Sequence, residues 1–374
     1  MEIKKTLAFA LLYGFVSASL SIAIPLYLDF IGYSLSGMGV LLGAAALLSS
    51  LLGIVLAGLG DRFGRKILLS LYPAVTAIGT GIIAFILYAP ATVLGKAFLD
   101  FSGNNLWNAL LARLSDLSKK ENRAALVGTY IAAFALAYSV SQFLAGSVIN
   151  SMGFTAIFAL AILAAILMSL LALLFVEVGR RKHRFHLSLN ILRTRDGLLN
   201  AIVSFFTGST SIIYAYVMYL FFKYHFGMDA AQTGFFIAAT FILWSASSFL
   251  LGPYIDRHGI KRIILLGALL NGGAWIAAIF LQDFWPFILI MALDNLTWPL
   301  YGLSTAKLSS IIPEEENIGR DISIFGFAHM LGVTFAAFAG GFLAEMSFSY
   351  VFAARAIFVL AGASIVFFLM KLKD

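Results

Sequence analysis

"KAFLDFSGNNLWNALLARL", residues 96–114, sets a Lys, an Asp and three Asn inside a long apolar run. Around it lie 374 residues, 61% of them hydrophobic and only 11% charged. A soluble domain carries roughly 25% charged residues, so this chain has too few polar groups to cover a globule in water. Lipid is its solvent. A charge at a bilayer centre costs roughly 2.5–3.5 kcal/mol on insertion scales, so the polar groups of the opening stretch need a reason. Lys96, Asp100, Asn104 and Asn108 are spaced i, i+4, i+8 and i+12 and form one helical stripe, with Gly103 and Trp107 on the same face. Such a stripe faces a water-filled cavity or a partner helix rather than lipid.

Outward from this stretch, apolar runs of spanning length fall at 6–28, 36–59, 67–88, 91–114, 124–149 and 154–176. A second set falls at 198–221, 230–254, 263–281, 284–310, 322–345 and 350–370. The expectation is an all-α polytopic membrane protein with twelve transmembrane helices, the first of them a retained helix rather than a cleaved leader. Lys and Arg gather in alternate connections, from Lys4 and Lys5 through Arg180, Arg181, Lys182 and Arg184 to Lys371 and Lys373, whereas the other side shows only Lys223. By the positive-inside rule both termini and the central connection are cytoplasmic. The net charge of +7 reflects this topology and predicts no nucleic-acid partner, because the basic residues are spread over short loops. The absence of cysteine removes disulfides, thiolate metal sites and thiol nucleophiles.

The chain also repeats itself. "GDRFGRKILL" (60–69) recurs as "YIDRHGIKRIILL" (254–266), with Asp61 and Asp256 separated by 195 residues. Gly39 maps to Gly234 at the same shift. "FLDFSGNNLWNALLARLSDL" (98–117) recurs as "ALDNLTWPLYGLSTAKLSSI" (292–311), with Asp100 and Asp294 separated by 194. Several anchors holding one offset predict two pseudo-symmetric six-helix bundles, 1–178 and 197–374, joined by a cytoplasmic loop at 179–196. Proteins built from such repeats place a substrate between the halves near mid-membrane.

Between the second and third runs stands "AGLGDRFGRK", residues 57–66, echoed by "GPYIDRHGIKR" at 252–262. The pattern resembles the loop signature of the major facilitator superfamily, G-x-L-x-D-R-x-G-R-K, with Ala57 where the family has its first Gly. The resemblance spans the chain and implies a secondary transporter. It also implies a cytoplasmic gate made of Gly60, Asp61, Arg62, Gly64, Arg65 and Lys66, matched by Asp256, Arg257, Gly259, Lys261 and Arg262. In that reading the second set faces acids such as Glu314 or Glu315. The helix 5 signature of the drug–proton antiporters, G-x-x-x-G-P-x-x-G-G, is degraded here to "AYSVSQFLAG" (137–146). "GVTFAAFAGG" (332–341) keeps only Gly332, Gly340 and Gly341 of it.

Asp294, Thr297, Trp298, Tyr301 and Thr305 form the counterpart of the opening stripe, so Asp100 and Asp294 read as proton-coupling groups, with Lys96, Asn104, Asn108, Trp107, Trp298 and Tyr301 lining the same cavity. Lacking a cation within a turn of its own helix, Asp294 is the expected proton carrier, while Asp100 is expected to pair with Lys96. Tyr13, Ser17, Gln142, Tyr214, Asn271 and His329 are weaker candidates, each equally readable as interhelical glue. Arg355 is expected to pair with Glu345. The resulting expectation is a monomeric carrier in the plasma membrane that uses no cofactor beyond a proton gradient. It would move a small amphipathic or apolar organic solute, leaning to efflux by antiport. An uptake symporter or uniporter for a sugar or organic acid is the alternative, and a non-transporting receptor a distant one. No nucleotide loop, metal cluster or nucleophile set suggests an enzyme.

Overall fold

A computed structural model describes residues 2–56, 65–117, 123–176, 189–214, 216–313 and 318–371. Hydrocarbon offers no water to backbone N–H and C=O groups, so spanning segments must bond within themselves. The described chain is accordingly helical almost throughout: α1 Glu2–Phe30, α2 Leu35–Leu56, α3 Arg65–Phe85, α4 Ala89–Leu117, α5 Arg123–Leu173, α6 Arg195–Ser209, α7 Val217–Phe226, α8 Ala230–Arg257, α9 Ile260–Phe280, α10 Phe284–Ile311, α11 Ile318–Met346 and α12 Phe348–Ser364. Among the described residues, ten stretches are long and apolar enough to cross a membrane.

Two helices are interrupted, one where the sequence runs already part and one within an expected span. The 51-residue α5 breaks at Gly153, whose φ of 80° and ψ of 178° suit a residue without Cβ. Its two limbs correspond to the expected helices 124–149 and 154–176. The expected span 198–221 is also broken. α6 ends at Ser209, a 3₁₀ turn covers Thr210–Ile212, and α7 begins at Val217. Ser209, Thr210 and Ser211 turn their hydroxyls onto the carbonyls of Phe205, Thr207 and Gly208, and such bonds compete with the helical ladder.

The chain divides into two compact units. One comprises Met1–Gly32, Ala44–Phe185 and Phe222–Ile242; the other comprises Tyr33–Gly43, His186–Phe221 and Leu243–Asp374. Each takes in a piece of the other sequence half, and the two pieces are repeat equivalents around the starts of α2 and α8.

Within the first unit the α8 segment crosses α5 with no room for side chains: a methyl on Gly146 would stand 2.1 Å from the Ala230 carbonyl oxygen, and one on Gly234 2.3 Å from that of Gln142. Within the second unit α2 crosses α11 in the same way. A methyl on Gly341 would stand 2.4 Å from the Leu35 carbonyl oxygen, and one on Gly39 2.9 Å from that of Ala337. These contacts map onto one another by the shift of 195 seen in the sequence. Gly341, read as a remnant of an antiporter signature, and its repeat equivalent Gly146 are thus packing residues at these crossings. Nearby in the first unit, Lys223 and Tyr224 both donate to the carboxylate of Asp29.

The other end of each unit repeats a second device. Glu2 accepts a hydrogen bond from the Val176 N–H at 3.0 Å, and Lys5 donates to the Leu174 carbonyl at 2.7 Å. One repeat later, Asp196 accepts from the Lys371 N–H at 3.3 Å, and Arg195 donates to the Leu369 carbonyl at 2.9 Å. A helix leaves its last carbonyls without intrahelical partners, and here a basic side chain from the start of each half caps one of them. In the first unit Arg113 joins the cluster. It donates to Glu2 at 2.5 Å and to the Val176 carbonyl at 2.9 Å, and lies 4.3 Å above the Phe175 ring.

Candidate functional site

Asp294 projects from the middle of α10 and is buried, with 1% of its surface exposed. Its Oδ1 accepts from Asn271 Nδ2 at 2.7 Å, Trp275 Nε1 at 2.6 Å and Arg355 Nη2 at 2.7 Å. Its Oδ2 accepts from the Tyr214 hydroxyl at 2.5 Å. Asn271 and Trp275 stand i and i+4 on α9, so one helical face supplies two neutral donors. Tyr214 comes from the interruption between α6 and α7. Arg355 comes from the second turn of α12, and its Nη1 donates to the Thr210 carbonyl beside the same interruption. The guanidinium lies 5.0 Å from the centre of the Tyr214 ring, 5.2 Å from Trp275 and 5.1 Å from Trp298. Cation–π attraction of this kind gains about 2 kcal/mol or more when the cation is desolvated.

Arg355 does not pair with Glu345, as the sequence reading expects; Glu345 accepts from the Ser36 N–H at 3.1 Å. Arg355 is 2% exposed, and a buried charge requires a buried countercharge. Asp294 therefore does have a cation, supplied by a helix 61 residues further on. Reading only its own helix misses that partner. Thr207 and Tyr301 pack behind the site with their hydroxyls 3.3 Å apart, and the rings of Tyr301 and Trp298 meet at 5.6 Å.

The equivalent stripe on α4 is held differently. Lys96 donates to Asp100 within the helix, and the two side chains remain 22% and 23% exposed. Asn104 is exposed and Trp107 half-buried against Tyr130 and Phe134, with centroids 5.4 Å and 5.2 Å away. Ser102 and Leu106, away from the stripe, are buried, whereas Leu94, Phe98 and Asn105 on the side facing away from it are exposed or part-exposed. The polar stripe is thus one of two accessible faces of α4.

The weaker candidates sort by contact. The Tyr13 hydroxyl donates to the Gly103 carbonyl at 2.9 Å, tying α1 to the stripe. Ser17 is half-buried one turn further on. Gln142 is buried and donates to Ser21 at 2.8 Å, where Tyr138 donates as well. His329 is half-buried, and its carbonyl crosses Gly208 so closely that a methyl there would stand 1.9 Å away. Tyr214 and Asn271 belong to the Asp294 site. Trp275, Thr210 and Arg355 are the site residues the sequence reading missed. The i, i+4 relation of Trp275 to Asn271 points to the first. For Arg355 the signal is its position as the only charge between Tyr350 and Met370.

The loop motif lies largely outside the described residues, which exclude Gly60, Asp61, Arg62 and Gly64, the side chains of Arg65, Asn108 and Asp256, and both Glu314 and Glu315. Lys66 is half-buried, Arg257 and Arg262 are exposed, and Gly259 caps the start of α9. Lys261 donates to the Met370 carbonyl at 2.7 Å, the end of the chain's last helical stretch.

Repeated bundles of apolar helices holding charge pairs define a polytopic helical membrane protein. The profile of the Major Facilitator Superfamily matches residues 6–194 and 198–374. The chain belongs to that family and is a transporter, not an enzyme. No curated protein matches it in sequence. Its fold is similar to that of a bacterial homolog of the human lysosomal transporter Spinster in an inward-facing, occupied conformation, with a TM-score of 0.78 and 13% identity, covering 98% of this chain and 95% of that one. It is also similar to a point mutant of the nucleoside transporter NupG, with a TM-score of 0.74 and 13% identity, covering 98% of this chain and 97% of that one.

Proposed function

We propose that the protein is a proton-coupled secondary carrier that moves a small amphipathic organic solute by alternating access. The observation that carries this reading is a pair of carboxylates at equivalent places in the two repeats, each held by a cation inside an apolar helical bundle. Intramembrane ionisable residues of this kind mark substrate and proton pathways. Of the two, Asp100 is the one a proton can reach. It is part-exposed and bound by one lysine, whereas Asp294 is buried and already accepts four donors. The proton load read onto Asp294 from its own helix therefore moves to Asp100.

Counting the limbs of α5 separately and adding the polar α4 to the ten apolar stretches gives twelve spans. With the basic connections on one side, both termini are cytoplasmic. Efflux by antiport fits the accessible aromatic and amide face of α4. Uptake of an organic acid by symport is the second reading, favoured by the buried Arg355.

In proteoliposomes with a pH dye inside, amphipathic solutes should evoke proton movement. Asp100→Asn should abolish that movement while solute exchange persists. Solute-evoked proton flux that survives in Asp100→Asn would overturn the assignment.

A further inference from the structure

Arg355 and Asp294 are unequal partners. Asp294 keeps three neutral donors, from Asn271, Trp275 and Tyr214, even without its arginine. Arg355 has far less: one carboxylate oxygen on Nη2, one backbone carbonyl on Nη1, and a buried Nε–H with no hydrogen-bond partner. A guanidinium binds a carboxylate or phosphate best through two parallel N–H bonds from one edge. Asp294 does not complete such a fork: its Oδ2 accepts from Tyr214 and from no N–H of Arg355. An unmet donor on a buried cation is costly, and an acidic group able to span Nε and one Nη would remove that cost.

Asp294, Trp275 and Arg355 are buried, whereas Tyr214 and Trp298, whose rings flank the guanidinium, are half-exposed. A ligand entering over those rings meets an aromatic surface first and the arginine behind it. A cation would find the aromatic faces already facing a guanidinium and the carboxylate already accepting four bonds. A neutral solute would find the Nε–H and the unpartnered Asn271 Oδ1, but could not offer the guanidinium a charged fork.

From this accounting we infer that Arg355 is the substrate-binding cation and that it takes the acidic head group of an aromatic or apolar organic anion in exchange for Asp294. The inference rests on the carrier reading above and adds to it the substrate's charge and the residue that receives it. Asp294 then acts as an internal stand-in, holding the arginine when no substrate is present and falling back on its neutral donors when one arrives.

Binding to the full-length protein in detergent tests this, read through the fluorescence of Trp275 and Trp298, with probes that share one apolar body. 3-Phenylpropionate, its methyl ester and 3-phenylpropylamine differ only in head group, and phenyl phosphate adds a second acid. The acids should bind at least about tenfold more tightly than ester or amine, a gap of about 1.4 kcal/mol. Arg355→Lys should weaken the acids about tenfold or more. Asp294→Asn should tighten them several-fold, since it removes the internal competitor. Arg195→Gln, which removes a cation elsewhere, should leave binding unchanged. Equal binding of ester or amine, no acid-selective binding by any probe, or acids bound no more tightly by Asp294→Asn would overturn the inference. The comparison of probes on the unaltered protein stands even if a variant fails to fold. Solute-evoked proton flux that persists alongside unselective binding would remove the acid assignment and leave the carrier reading intact.

Discussion

Asp100 and Asp294 occupy the same place in the two repeats, yet they are embedded differently. Asp100 meets a lysine one turn away on its own helix and stays part-exposed on an accessible face of α4. Asp294 is walled in by α9, by the broken segment between α6 and α7, and by Arg355 from α12. One repeated position has thus become a local, accessible ion pair in the first half and a buried four-donor cage in the second. A local pair can open by rotating one side chain. Opening the cage rearranges three helical elements, which suits it to report on substrate or conformation rather than to pass protons quickly.

The largest test of that contrast removes each carboxylate in turn. Asp294→Leu leaves a buried arginine uncompensated and should cost roughly 3–5 kcal/mol, whereas Asp100→Leu should cost about 1 kcal/mol or less because its pair is solvent-screened. Thermal unfolding of the two variants in detergent measures the difference, and equal losses would mean the sites are not differently embedded.

A second test asks how far the symmetry of the crossings holds. Gly146→Leu and Gly341→Leu each place a side chain against a neighbouring backbone, an overpacking cost of about 1–3 kcal/mol. Thermal unfolding should show matching losses, while unequal losses would confine the equivalence to sequence. Third, Tyr214→Phe removes one of the four donors and should lower stability by roughly 0.5–1.5 kcal/mol; no change would mean the tyrosine bond is dispensable to the cage. The smallest effect belongs to the clips at the other end. Asp196→Asn should cost less than about 1 kcal/mol, since the bond is long and exposed, and Glu2→Gln should cost more because buried Arg113 depends on it. A reversed order, again by thermal unfolding, would break the contrast between the two halves at this end.

Much of this can be read from residues alone. The alternation of apolar runs with basic connections indicates a helical membrane protein, and the 194–195 offset locates Asp100, Asp294, Gly39 and Gly234 as equivalent positions. The polar face of α4 follows from its four-residue spacing. The interruption at Thr210–Ile212 is not legible as a break, because Ser and Thr are tolerated in apolar helices and only their hydroxyl bonds reveal the competition. Arg355 is visible as a lone charge, but its partner is not, and the nearest acid in the sequence is the wrong one.

Lipid explains that division. Hydrocarbon forces every spanning segment into a helix and every charge inward, and both constraints are written in composition and period, so sequence by itself determined the class, the repeat and the faces. Which inward-facing charge meets which is set by helix packing between segments far apart in the chain. No periodicity on a single helix carries that information, so tertiary structure alone decided that Arg355 belongs to Asp294.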